Sequence, residues 1–151
     1  MIRLVSVMRC VSCGATCRAG GAVMADTELL VCVKCRKGQQ GADDIRPGQR
    51  LFNTLSRHAL PEGLRLRAVE CLQNCNAGCS VVLRGGNRWT YVYGGLDAES
   101  DAPMLLDGAA RYHATVDGLI PWRERPDHFK RNCVARVPPL DFPDVTSEAE
   151  T

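Results

Sequence analysis

A chain of 151 residues with 45% hydrophobic and 24% charged side chains has the size and composition of one globular domain with tails. Its net charge of +2 lacks the concentrated basic face of a nucleic-acid-binding protein. No apolar run approaches the roughly 20 residues of a membrane-spanning helix, so nucleic acid and membrane are excluded as expected partners. Met1 to Val11 holds Arg3 and Arg9 among apolar residues, but its apolar runs are shorter than a secretory core and no clean cleavage site follows, which predicts a cytoplasmic protein. Lysine occurs only at Lys34, Lys37 and Lys130, an arginine bias that fits a GC-rich bacterial genome.

Residues 1–25 show no helical or strand period and read as an N-terminal extension, disordered or not translated. Met24-Ala-Asp-Thr offers an ordinary alternative start, with Gly20-Gly21 as the in-frame reading of a ribosome-binding site. The organised domain, 26–120, begins with the apolar run Glu28 to Val33, a buried strand, followed by a Gly- and Gln-rich loop from Lys37 to Gly48. From Pro47, residues Leu51, Phe52, Leu55 and Ala59 recur at helical spacing. Leu64 to Val69 alternates apolar and basic side chains, a second strand that strand–helix–strand order makes parallel to the first. Ser80–Leu83 and Arg88–Tyr93 form an antiparallel pair joined by Gly85-Gly86-Asn87. Asp101 is placed to cap a helix with Pro103 in its first turn and a stripe of Leu105, Ala109, Tyr112 and Val116, ended by Gly118. Residues 121–140 are basic and proline-rich and are expected to pack as irregular structure. The acidic end, 141–151, has little to bury and is expected to be disordered. The fold class is α/β, thioredoxin-like in its smaller β-α-β-β-α form, with a four-stranded mixed sheet and two main covering helices.

Nine cysteines are an odd number, and in a reducing compartment clustered thiols serve metals more often than disulfides. Cys32-x2-Cys35 closes the first strand, and Cys71-x3-Cys75-x3-Cys79 follows the second. Parallel neighbours bring their carboxyl ends together, the edge at which open α/β sheets bind ligands. Four thiolates suit a [2Fe-2S] cluster, because each of two irons takes two terminal sulfurs. The predicted ligands are therefore Cys32, Cys35, Cys71 and Cys75, with backbone N–H groups of Asn76 to Ser80 as donors to cluster sulfur.

The stretch Cys71-Leu-Gln-Asn-Cys75-Asn-Ala-Gly-Cys79 resembles the second ligand loop of thioredoxin-like [2Fe-2S] ferredoxins, where Cys-x3-Cys is followed by Gly and usually Pro; Cys79 stands where that Pro would be. Leu29 to Pro139 also resembles an uncharacterised bacterial family of predicted metal-binding proteins related to those ferredoxins. The matching pieces are Val31 to Cys35, Cys71 to Cys79, Trp89 to Tyr93, Pro121 with Arg125-Pro126, and Ala135 to Pro139. The resemblance implies the fold and the cofactor. Such ferredoxins commonly place a longer loop between their first two ligands, which makes Cys79 the alternative ligand in place of Cys35. Cys79 otherwise reads as a buried thiol or a spare ligand.

Other readings compete for the same residues. Cys10-x2-Cys13 with Cys32-x2-Cys35 fits a zinc ribbon, and a zinc- or cobalt-binding protein without a cluster is the alternative function. A thioredoxin-type dithiol at Cys32 and Cys35 is disfavoured, since a long loop rather than a helix follows it. Cys10, Cys13 and Cys17 fall one short of a second cluster, and Cys133 has no role. His58, His113 and His128 are not spaced for joint ligation. Trp89, Tyr91 and Tyr93 share one face of their strand, as core packing or as an apolar shield near the cluster. No nucleophile–base pair, paired carboxylates or phosphate loop is found, so the chain is expected not to be an enzyme. The expected partner is a redox protein, with the basic segment Arg123 to Arg136 suited to an acidic surface.

Overall fold

The computed structural model describes residues 27–36 and 45–145. The extension 1–25 with Cys10, Cys13 and Cys17, the loop residues 37–44 and the end of the tail from Thr146 lie outside the described residues.

β1 (Thr27–Cys32) lies inside the sheet and all its residues but Glu28 are buried; β2 (Leu64–Val69) pairs with it in parallel on one side and β3 (Val81–Arg84) antiparallel on the other. β4 (Thr90–Tyr93) pairs antiparallel with β3 across a turn in which Gly86 takes a positive φ of 49°. Between β1 and β2 runs α1 (Pro47–Ser56), whose Pro sits in the first turn where its missing N–H breaks no helical bond. The helix stops three residues before Ala59. Arg57 and His58 donate to Thr54 and Leu55 in tight terminal turns, and Leu60, preceding Pro61, is disfavoured in helical geometry.

α2 (Ala102–Ala114) also ends early. Val116 is 94% exposed and does not join the predicted stripe, because Thr115 turns extended and its hydroxyl donates to Tyr112 O. Asp101 makes no side-chain cap; its carboxylate instead accepts from Asp97 N at 2.8 Å, securing the preceding turn.

The sheet has five strands rather than four, in the order β2-β1-β3-β4-β5. The basic segment expected to be irregular contains a short helix, α3 (Asp127–Arg131), and β5 (Cys133–Val137), which pairs antiparallel with β4 through a bulge at Val92/Tyr93. β5 escapes a pattern search because every one of its residues is exposed. An edge strand with no buried face shows no apolar alternation. Beyond it, Phe142 packs edge-on against Trp89 at 5.0 Å, and Asn87 donates to Asp141 at 2.7 Å.

One face of the sheet carries the core. Leu29, Val31, Val81, Leu83, Tyr91 and Tyr93, alternate residues of their strands, join Leu51 and Leu55 of α1, Leu105, Ala109 and Tyr112 of α2, and Phe129 of α3. Each fully buried leucine contributes about 1.5–3 kcal/mol. Phe129 stacks on Tyr93 at 4.0 Å and crosses α2 at Gly108, where a Cβ would strike its ring.

Candidate metal centre

Strand direction decides where the cysteines lie. Parallel pairing puts the carboxyl ends of β1 and β2 together, and the antiparallel strands add the start of β3, the end of β4 and the start of β5 to the same edge. Cys32 ends β1 and Cys35 follows in its turn; Cys71 and Cys75 follow β2; Cys79 precedes β3; Cys133 opens β5. All six cysteines of the described residues therefore gather along one edge.

Backbone bonds tighten this convergence. Cys32 N donates to Ser80 O at 3.0 Å, Val33 N donates to Val69 O at 2.9 Å, and the Cys32 thiol donates to Glu70 O at 3.6 Å. Cys32 is thus wedged between the residues just before Cys71 and just after Cys79. The N-terminus of α1 closes the other side, with Gly48 N donating to Cys35 O at 3.3 Å. A Cβ on Gly48 would run into Cys32 O and come within 3.1 Å of Cys35 Cβ, so only glycine admits this approach.

The two pairs differ in exposure. Cys32 and Cys35 are buried, whereas Cys71 and Cys75 are exposed on their loop. Cys71 Sγ accepts from Gln73 N at 3.3 Å, and Gln73 adopts φ 55° to make that turn. Cys75 opens a single 3-10 turn, Cys75–Ala77, held by Asn74: its Nδ2 donates to Ser80 Oγ at 2.9 Å and to Ala77 O at 3.3 Å. Asn74 is a positioning residue that sequence reading missed, and only its place inside the Cys-x3-Cys loop hinted at it. Two expected sulfur donors are already engaged: Ala77 N donates to Asn74 O and Cys79 N to Leu96 O. The Gly78–Cys79 peptide bond is cis.

Cys79 and Cys32 face opposite sides of the sheet. Cys79 belongs to the helix-side core at 0% exposure, while the two-residue period that turns Leu29 and Val31 toward the helices turns Cys32 away. Among the described residues no three Cys, His, Asp or Glu side chains stand close enough to hold a metal ion. The donor chemistry fits an iron–sulfur group in kind, with thiols from two neighbouring loops and no histidine among them. His58 faces Thr54 O, His113 faces Thr27 and His128 faces Gly94 O, each ring at 2.8 or 2.9 Å from an oxygen.

Residues 29–139 match the model of a protein family described as a protein of unknown function (DUF1636). The chain belongs to that family. The DUF1636 match takes in Cys32, Cys35, Cys71, Cys75, Cys79 and Cys133 and leaves Cys10, Cys13 and Cys17 outside. Among solved structures, a thioredoxin-like [2Fe-2S] ferredoxin from Aquifex aeolicus is similar at 17% identity and a TM-score of 0.47, covering 77% of this chain and 97% of that one. No curated protein matches.

Cys133, given no role by its isolated position, is the further thiol that this DUF1636 member brings to the edge. Burial pushes its thiol up, against the opposing pull of the Arg125 and Arg136 charges. It shares a cross-strand position with Tyr93, whose phenol burial pushes far above its usual range. No helix of the described residues is long and apolar enough to cross a membrane.

Proposed function

We propose that this chain is a [2Fe-2S] cluster-binding, ferredoxin-like protein of thioredoxin-like fold that serves electron transfer or redox sensing in the bacterial cytoplasm, without chemistry on a substrate. The observation that carries the reading is the meeting of two cysteine pairs, distant in sequence, at the carboxyl ends of the parallel strands β1 and β2. Cys32, Cys35, Cys71 and Cys75 would hold the group, which supplies one-electron exchange when bound.

The chain's own parts suit that task. Cys32 and Cys35 sit in a turn fixed by α1 and by backbone bonds to both neighbouring strands. Cys71 and Cys75 lie on an exposed loop whose carboxyl half is clamped by Asn74, leaving their thiols accessible to incoming iron and sulfide. Tyr93, buried at the same end of β4, closes the helix side of the edge. The place of Cys79 in the helix-side core supports a packing thiol rather than the fourth ligand.

Anaerobic purification followed by iron, zinc and acid-labile sulfide analysis tests the reading. Iron and sulfide in equal amounts are expected, with a visible charge-transfer spectrum that survives Cys79→Ser. Zinc or cobalt without sulfide would instead establish the metal-binding alternative. Comparing chains begun at Met1 and at Met24 isolates the zinc ribbon, since only that site needs Cys10 and Cys13.

A further inference from the structure

At the β5 end of the cysteine edge the surface changes character. Trp122, in the single turn Trp122–Glu124, is 61% exposed. The indole is braced from behind. Arg125 Nε donates to Ile120 O at 2.7 Å, and its guanidinium lies 5.7 Å from the Trp122 ring and 5.8 Å from the buried ring of Tyr91. A cation held between two rings fixes an exposed aromatic without covering it.

The segment that carries this anchor is basic. Residues 121–137 hold five basic and two acidic side chains, more positive charge than the whole chain's +2. Lys130 is tied to Asp127 at 3.0 Å, while Arg123 and Arg131 are exposed and make no ion pair among the described residues. Arg125 is also near enough to Cys133 to act on its thiol, so the patch borders the cysteine edge. An exposed Trp preorganised by an arginine has the make-up of an interface hot spot. One exposed indole does not provide the row of stacking rings that single-stranded nucleic acid uses.

We propose that the surface of Trp122, Arg123 and Arg131 docks an acidic protein partner beside the cysteine edge, with Trp122 as its apolar anchor. That the partner exchanges electrons rests on the ferredoxin reading; the docking itself does not. The chain has two tryptophans, so the difference between wild-type and Trp122→Phe emission isolates Trp122.

The full chain is titrated with poly-L-glutamate and, separately, with oligothymidylate. A blue shift of the Trp122 emission is expected with polyglutamate, weakened at least about tenfold by Arg123→Glu/Arg131→Glu and by a rise to ~300 mM salt. No shift, a shift indifferent to the charge reversal, or tighter oligothymidylate binding overturns the proposal. In a second arm, a reduced acidic flavodoxin gives one electron from its flavin to the oxidised chain. The charge-reversed variant should slow this transfer about tenfold while dithionite reduces both chains equally. A positive titration on a chain that carries no cluster sinks the ferredoxin reading and keeps the docking surface; a normal cluster with no titration does the reverse.

Discussion

The two ends of the sheet are built on opposite chemical principles. At the amino end of β1, Thr27 is fully buried with its Oγ1 2.8 Å from His113 Nδ1, and Arg88 donates to Thr27 Oγ1, to His113 O and to Thr115 O. Tyr112 closes this end by donating to Trp89 O at 2.7 Å, and burial pushes its phenol up to about 12, so it keeps that proton at neutral pH. Strong donors meet strong acceptors there, and the network ties α2 to the strands. The opposite end is lined by thiols, weak hydrogen-bonding groups, of which Cys32, Cys35 and Cys79 are buried and Cys71, Cys75 and Cys133 exposed. Under the proposed function this end serves a ligand, whereas the far end ties α2 to the sheet.

Substitutions at the two ends should therefore fail differently. Cys71→Ser or Cys75→Ser should abolish iron and sulfide binding altogether while moving unfolding by no more than about 0.5 kcal/mol, because both thiols are exposed. Metal and sulfide analysis beside urea unfolding of the metal-free chain reads both effects; a variant with a normal visible spectrum would contradict the ligand assignment. Gly48→Ala couples the two properties. Its Cβ meets the Cys32 backbone rather than a flexible side-chain tip, so relief requires α1 to withdraw from the Cys32–Cys35 turn. A loss of about 3 kcal/mol is expected, together with reduced cluster content in the fraction that folds.

How much of this was legible in the sequence depends on what each signal measures. β1 and β2 and their parallel pairing followed from apolar runs and strand–helix–strand order, and these alone bring Cys32 and Cys71 to one edge. Cys133 was hidden because its strand has no buried face to impose a period. Asn74 was hidden because an asparagine in a loop looks the same whether it clamps that loop or faces water. The Thr27–His113–Arg88 network was invisible for a related reason: its members are as much as 86 residues apart, and no local pattern records a long-range hydrogen bond. Periodicity reports burial of whole faces, and single polar contacts leave no trace in it.

Arg88→Met sharpens the comparison from the far end. The substitution keeps most of the apolar stem but removes the guanidinium, which lies 6.0 Å from the Tyr112 ring centroid and donates to Thr27 and to two carbonyl groups. Stability should fall by about 2 kcal/mol, the cost of leaving buried acceptors unmet, with iron and sulfide per folded chain unchanged. A loss of cluster in a chain that still unfolds cooperatively would mean that the two ends are coupled after all.

The smallest effect belongs to Glu28, on the helix-free face near that same end. Its carboxylate accepts from Arg67 at 2.9 Å and from Arg84 at 2.8 Å, and Arg67 above all holds it below the usual glutamate range, against the opposing effect of burial. A carboxyl lowered in the folded chain binds fewer protons there than in the unfolded chain. The stabilisation is therefore present above the ordinary glutamate pKa and is lost as pH falls through the folded value. Both arginines are about half exposed, which limits the pair's worth to less than about 1 kcal/mol at neutral pH. Glu28→Gln should lower the urea midpoint slightly at pH 7, and the gap between variant and wild type should close below about pH 4 and shrink in 0.5 M salt. A gap that widens in acid would reverse the sign of the argument and identify Glu28 as a group stabilised by protonation.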